Sequence, residues 1–213
     1  MANIFNEVDE DIRKERYKKL WSSYGKYLIG LIISIILIFS INQFLVSKNI
    51  ADNKRLLDIY FSAAEDIEKN QFKLANESLN KIYNDKNATL SAFSAFKLSE
   101  TYLKNNNRID AIAVLENIFN NNSLEIIYRE LALYKYIMIN FDVLDISDIE
   151  SKISIINNKE GQFNPYFKEL LGIKHITIGD KAKASSIFNE LSSSENTPFD
   201  LKIRLEKLIQ IAS

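Results

Sequence analysis

The sequence predicts an all-α chain in which a single transmembrane helix precedes an array of helical hairpins. It contains only five Gly and two Pro among 213 residues, whereas an average chain of this length has about 25. Sheets and irregular loops use both residues at turns, so their scarcity favours helices. From residue 51 onward the apolar residues recur at helical spacing, and one apolar stretch near the N terminus is uncharged.

The uncharged stretch covers residues 27–47, between Lys26 and Lys48, and is rich in Ile and Leu. A helix of about 20 residues crosses the hydrocarbon core of a bilayer, so this stretch predicts a transmembrane helix. A cleaved signal peptide is the nearest alternative. The segment before the stretch is long for a signal peptide, and Val46-Ser47-Lys48 lacks the small-x-small cleavage pattern. We therefore predict an uncleaved signal anchor.

Positive charge is concentrated on the N-terminal side of this stretch. Residues 1–26 contain six Lys and Arg, whereas the first 20 residues after the stretch contain three. The positive-inside bias predicts a cytoplasmic juxtamembrane segment over residues 1–26 and places residues 48–213 on the opposite side. Aromatic residues that favour the headgroup layer cluster at the cytoplasmic entry, namely Tyr17, Trp21, Tyr24 and Tyr27.

Joints rich in Asn divide the remaining chain into helices. These joints are Asn70-Gln71, residues 105–107, residues 120–122 and Asn157-Asn158. Polar residues of this kind favour turns and helix caps over helix interiors.

Helix starts and one helix end are visible in the last third of the sequence. Asn164-Pro165 and Thr197-Pro198 each predict a side-chain N-cap followed by Pro at the first helical position. Asp200, three residues after Thr197, resembles the acidic member of a capping box. Gly179-Asp180 predicts a C-terminal glycine followed at once by the next N-cap.

A small residue followed four positions later by a large one recurs along the chain. Ala75 and Ala111 are 36 residues apart, and Ala184 follows after about two further steps of that length. The large partners are Leu79, Leu115 and Phe188. This spacing is similar to that of tetratricopeptide repeats, whose period is about 34 residues. It predicts hairpins over residues 56–86, 92–122, 123–160 and 165–192, the third being degenerate, and a terminal helix over residues 198–211 that covers the last hairpin.

Both ends of the sequence also resemble one family. Residues 4–30 read IFNEVDEDIRKERYKKLWSSYGKYLIG, and residues 164–208 read NPYFKELLGIKHITIGDKAKASSIFNELSSSENTPFDLKIRLEKL. They resemble the membrane-anchored tetratricopeptide-like proteins of Gram-negative bacteria, a family that includes the ancillary subunit of the SecYEG translocon. The resemblance implies a single-pass inner-membrane protein with a periplasmic repeat domain over residues 48–213. It also implies association with the translocon and periplasmic chaperones, and no catalytic residues.

The composition excludes several kinds of site. The chain has no Cys, one His and a formal net charge of −1, which argues against thiolate or His-rich metal sites and against an electrostatic grip on nucleic acid. No phosphate-binding, zinc-protease or hydrolase motif occurs. We predict that His175 is a packed helix residue, with an enzyme that uses the His175 region as the alternative. No catalytic residue, cofactor, metal or small-molecule substrate is predicted.

Recognition of other proteins is the remaining function. In the usual repeat geometry the first helices of the hairpins line a concave groove that suits an extended peptide or a partner helix. For Phe93 and Phe96 the alternative is burial between repeats. The predicted groove residues are Phe93, Phe96, Glu100, Leu103, Lys104, Tyr166, Glu169, Ile173 and Thr177.

Together, these features predict a non-catalytic interaction protein of the bacterial inner membrane. Its expected role is that of an ancillary Sec translocon subunit that links exported polypeptides to periplasmic chaperones. The alternative with the same fold is a membrane-anchored scaffold for envelope or cell-division complexes. A reversed topology, in which the repeats face the cytosol, is a further alternative.

Overall fold

The computed structural model describes residue 40, residues 42–156 and residues 161–213. In these ranges all regular secondary structure is α-helical, which confirms the all-α prediction for this part of the chain. The chain divides into two compact units, Met1–Arg55 and Leu56–Ser213. The second unit contains most of the described residues and all of the surfaces considered below.

Nine helices occupy the described ranges. They form four consecutive pairs and a final single helix, which is the order that the sequence predicts. Their bounds are α1, 42–68; α2, Phe72–Tyr83; α3, Ala88–Lys104; α4, Arg108–Asn120; α5, Ile126–Asn140; α6, Ile146–Ile156; α7, Asn164–Thr177; α8, Lys181–Ser193; and α9, Phe199–Ala212.

The predicted transmembrane helix falls mainly outside the described residues. Of residues 27–47, the structure describes residue 40 and residues 42–47, which are helical. Residues 1–26, predicted to be cytoplasmic, lie outside the described residues altogether. Within the described ranges, no helix combines the length and the apolar character that crossing a membrane requires.

Asparagine and glycine at the predicted joints end one helix and begin the next. Asn70 and Asn106 adopt the left-handed backbone conformation, with φ values of 58° and 57°, and Gly179 does so with φ of 85°. Asn is one of the few residues with a side chain that tolerates this region. Asn107 and Asp180 then cap α4 and α8, each side chain accepting a hydrogen bond from the backbone N–H three residues later. The Gly179-Asp180 prediction is thereby confirmed.

The predicted caps at Asn164 and Thr197 are wrong. The N-cap position of α7 is held by Phe163, so Asn164 is already helical. The N-cap position of α9 is held by Pro198, which has no side-chain acceptor. The helix therefore starts one residue too late for Thr197 to cap it, and the buried Thr197 hydroxyl makes no hydrogen bond. No capping box forms, because Thr197 is not the N-cap residue of α9; the Asp200 carboxylate accepts a hydrogen bond from Arg204 at 3.2 Å.

Each helix from α2 to α8 packs against the next helix along the chain, and α7 also packs against α9. Helices two apart in the chain are linked by contacts at a nearly constant separation. Asn117 donates to the hydroxyl of Tyr83, 34 positions away, and Lys174 donates to the carbonyl of Phe141, 33 positions away. Such nearest-neighbour packing with a recurring separation is consistent with a helical solenoid.

Small residues allow the two helices of a hairpin to approach closely. A β-carbon added at Gly172 of α7 would lie 2.3 Å from the ring of Phe188 in α8. The small-then-large pattern of the sequence is buried throughout, at Ala75, Leu79, Ala111, Leu115, Ala184 and Phe188.

The third hairpin departs from this packing, as its degenerate sequence predicts. The helix α6 contains no Ala or Gly, and only Ile149 and Ile156 among its residues are buried. Lys152 of α6 instead lies 3.7 Å from a carboxylate oxygen of Glu116, and its ammonium is 4.9 Å from the centre of the Tyr136 ring. Consequently α6 packs less extensively against its two neighbours than the other helices do.

We expect Gly172→Ala to destabilise the protein although Ala is the better helix former. The added methyl group overlaps the Phe188 ring, and such overpacking costs about 1–3 kcal/mol. Urea unfolding followed by circular dichroism measures this cost. In a Phe188→Leu background the same substitution should lower the free energy of unfolding less, because the aromatic ring that the added methyl group overlaps is absent. An equal cost in both backgrounds would contradict the close-approach account.

Candidate functional site

Four aromatic side chains connect the odd-numbered helices of successive hairpins. Short turns make neighbouring helices antiparallel, so the odd-numbered helices run in one direction. The rings of Phe93 in α3 and Tyr128 in α5 meet edge to face at 5.7 Å. The rings of Tyr134 in α5 and Tyr166 in α7 do so at 6.1 Å. We call the surface that carries these four rings the odd-helix face.

The predicted groove residues of α3 are divided between this face and the core. Phe93 is 44% exposed, and Glu100, Leu103 and Lys104 are also exposed. Phe96 is only partly accessible and packs against the main core cluster. The alternative of burial between repeats therefore describes Phe96 better than it describes Phe93.

The charged side chains of α3 form one network of ion pairs. The Glu100 carboxylate lies 3.0 Å from the ammonium of Lys97 and 3.1 Å from that of Lys104. The hydrogen bond from Lys97 is the main cause that lowers the pKa of Glu100 below its usual value; burial opposes it, and Lys104 lowers the pKa further. The single Glu100 carboxylate is therefore shared by two ammonium groups, so this network keeps a net positive charge.

Glu169, which the sequence places in the groove, has a buried carboxylate. Glu169 is 5% exposed, and its two oxygens accept hydrogen bonds of 2.9 and 3.0 Å from the guanidinium of Arg204 in α9. These hydrogen bonds raise the pKa of Arg204 above its ordinary value. The pair fixes α9 against α7, which is a structural role.

The other predicted residues of α7 lie in different surroundings. Tyr166 is partly exposed, and the guanidinium of Arg204 lies 5.9 Å from its ring centre. Ile173 is partly buried and packs against the second core cluster, which includes Phe188. Thr177 is exposed in the last turn, where its hydroxyl donates to the backbone carbonyl of Lys174. Of this group, Tyr166 contacts α5, through the ring of Tyr134.

Sequence reasoning missed Tyr128, Tyr134 and Arg204. Tyr134 is the centre of an aromatic cluster in which its ring lies 5.7 Å from Phe163. Burial is the main cause that raises the pKa of Tyr134 and of Tyr166. The third hairpin lacks the small-then-large pattern, so its residues had no register from which their orientation could be predicted.

His175 is packed at the end of α7, as the sequence predicts. Its side chain is 12% exposed, and its Nδ1 atom lies 3.1 Å from an oxygen of Asp180. Asp180 also caps α8, so the contact joins the two helices of the last hairpin. In the part of the chain that the structure describes, no group of three or more His, Asp or Glu residues is arranged to hold a metal ion.

The odd-helix face offers apolar and aromatic contact area beside charges that are already paired. No family model, curated protein or solved structure matches this chain. The interpretation of the face therefore depends on its geometry and chemistry. Partly exposed aromatic rings held rigidly by their neighbours are typical of protein-binding surfaces.

We expect Lys97→Met to raise the pKa of Glu100 and Lys104→Met to raise it less, because Lys97 is the larger cause of the lowering. Carboxyl titration by NMR measures both changes. Lys69→Met, which removes a charge paired with Glu65, is the control and should leave Glu100 unchanged. Since the folded pKa is lowered, the stabilisation from this network is present above the unfolded pKa and is lost as pH falls through the folded pKa.

We expect Arg204→Met to destabilise the protein by about 2 kcal/mol, because it leaves the buried carboxylate of Glu169 without a partner. Chemical denaturation measures the loss. Adding Glu169→Gln removes the stranded charge, so the double variant should recover part of the stability. A double variant less stable than Arg204→Met alone would show that an unpaired buried carboxylate is not the cause of the loss.

Proposed function

We propose that this protein is a membrane-anchored solenoid of the tetratricopeptide type that binds polypeptides on its odd-helix face. Its proposed role is that of an ancillary Sec translocon subunit, which links exported polypeptides to periplasmic chaperones at the inner membrane. Binding alone performs this role, so no cofactor or catalytic residue takes part.

The observation that carries the proposal is the exposed ring of Phe93 and its contact with Tyr128. The two rings belong to different hairpins, so the aromatic surface continues from one repeat to the next. A surface of this kind presents a row of apolar positions to an extended chain or to the apolar side of a helix. Phe93 remains 44% exposed in this arrangement, which leaves ring area for a ligand.

The repeat type is supported by two further features. Contacts between helices two apart join residues about 34 positions apart, as in the pair of Asn117 and Tyr83. The buried Ala and Gly positions, such as Ala111 and Gly172, occupy the places where hairpin helices approach closely. The period of tetratricopeptide repeats is about 34 residues.

The location is supported by the sequence of the N-terminal region. Residues 27–47 are uncharged and apolar, and the basic residues before them favour a cytoplasmic N terminus. A permanent tether would keep the binding face at a high local concentration near one membrane complex. The resemblance of residues 4–30 to the anchored tetratricopeptide-like family supports the translocon as that complex.

Photocrosslinking from the odd-helix face tests the proposal. A photoreactive phenylalanine derivative replaces Phe93 in the full chain, expressed in a Gram-negative cell that carries an arrested secretory polypeptide. Ile155 of α6 is the matched control, because it is also 44% exposed but lies on an even-numbered helix. We expect crosslinks to the secretory polypeptide or to the translocon from position 93 and few from position 155.

Two outcomes would contradict this role. Equal crosslinking from positions 93 and 155 would show that the odd-helix face is not the binding surface. Crosslinks from position 93 to cell-division or envelope-assembly proteins, with none to the secretory polypeptide, would favour the scaffold alternative. Depletion of the protein separates the two roles independently, since the first predicts a secretion delay and the second a division defect.

A further inference from the structure

One strongly exposed aliphatic side chain recurs in each of the four hairpins and in the final helix. Each of these side chains is between 52% and 80% exposed, and consecutive members are 33 to 35 positions apart in the sequence. Scattered single apolar residues are normal on protein surfaces, but a regular recurrence in step with the helix pairs is not. The members are Leu74, Ile109, Val143, Ile178 and Ile211, which we call the edge row.

The edge row lies along one edge of the helix array. Leu74 and Ile109 are in the first turns of α2 and α4, and Val143 lies in the connection from α5 to α6. Ile178 directly follows α7, and Ile211 is in the last turn of α9. All five are therefore at the end where odd-numbered helices finish and even-numbered helices begin. The edge row shares no residue with the odd-helix face.

A shallow cavity interrupts the edge row between the third and fourth hairpins. Its volume is about 500 Å³, and Val143 and Ile178 of the row form part of its lining. Leu144 and Ile146 add further apolar surface. A cavity of this size and character can receive one large apolar side chain, which is how an anchor residue of a partner is usually held.

The charge available at the mouth of this cavity is acidic. Asp142 and Asp145 are both exposed in the cavity lining. Asp145 accepts a hydrogen bond from the backbone N–H of Asp148, while no ion-pair partner of Asp142 is present among the described residues. The one cation of the lining, Lys174, is 9% exposed, and its ammonium is bonded to the carbonyl of Phe141. The mouth is therefore complementary to a basic side chain.

The spacing of the edge row indicates the secondary structure of its partner. Neighbouring members lie in successive hairpins, whose odd-numbered helices touch through rings 5.7 and 6.1 Å apart, so the members are separated by roughly one helix diameter, about 10 Å. Residues seven apart on a helix are about 10.5 Å apart and lie on nearly the same side. Residues three apart on a strand span about 10 Å but point to opposite faces. A helix therefore fits the row and a strand does not.

We propose that the edge row binds an amphipathic helix of another protein. This helix carries an aliphatic side chain at every seventh position, with a Lys or Arg beside the one that enters the cavity between Val143 and Ile178. The helix lies across the ends of the hairpins, and its basic residue faces Asp142.

A synthetic peptide tests this proposal with the full chain in nanodiscs of uncharged lipid. The probe is a fluorescent helical peptide with Leu at every seventh position and Lys beside the central Leu. Fluorescence anisotropy should show binding that the double variant Val143→Ser, Ile178→Ser weakens at least about tenfold. Ile155→Ser, an equivalent change at an exposed residue outside the row, should leave the affinity unchanged.

The acidic mouth has its own test. Asp142→Asn should weaken binding of the Lys peptide severalfold and should not change binding of a peptide with Gln in place of that Lys. Asp142 is the suitable position because Asp145 also holds the start of α6. Circular dichroism confirms that each variant is folded, which is expected because the substituted side chains are exposed.

Four results would overturn the proposal. One is absence of peptide binding, and another is equal weakening by the Val143, Ile178 variant and by Ile155→Ser. A third is co-sedimentation of the nanodisc-embedded protein with phosphatidylglycerol vesicles, if the Val143, Ile178 double variant abolishes it. The edge row would then be a lipid-binding surface. The fourth is self-association that the same two substitutions abolish, which would make a second copy the partner.

Discussion

The second unit depends on close packing between the two helices of its hairpins, with the third hairpin as the exception. At Gly172 there is no space for even one methyl group beside Phe188, and Ala111 and Ala184, near the starts of α4 and α8, are fully buried. Because a helix pair that packs tightly has few exposed faces of its own, each hairpin buries its remaining apolar side against the next hairpin. The edges and the odd-helix face are the surfaces that this arrangement leaves open.

Features set by local chemistry could be predicted from the sequence, whereas features set by distant residues could not. The turn at Gly179 and the cap at Asp180 follow from the residues themselves, and the structure has both. The burial of Glu169 depends on Arg204, which is 35 positions later and on a different helix. The predicted capping box at Thr197 is an exception, because it fails for the local reason that α9 begins after Pro198.

The candidate site was only partly predictable, for a related reason. Phe93 and Tyr166 could be placed because their hairpins match the repeat pattern, whereas Tyr128 and Tyr134 belong to the hairpin that does not. The charged side chains of α3 are already paired within the protein, since Glu100 binds both Lys97 and Lys104. Association there would depend on apolar contact, which salt screens far less than it screens charge pairs.

The weak packing of α6 has a mechanical consequence. In a linear array the stability of each step depends on its immediate neighbours, so a poorly packed helix cannot be compensated by distant parts of the chain. Buried residues of α8 and α9 form a core cluster of their own, distinct from the one that contains Ile149 and Ile156 of α6. Under a pulling force we therefore expect the array to yield first at α6.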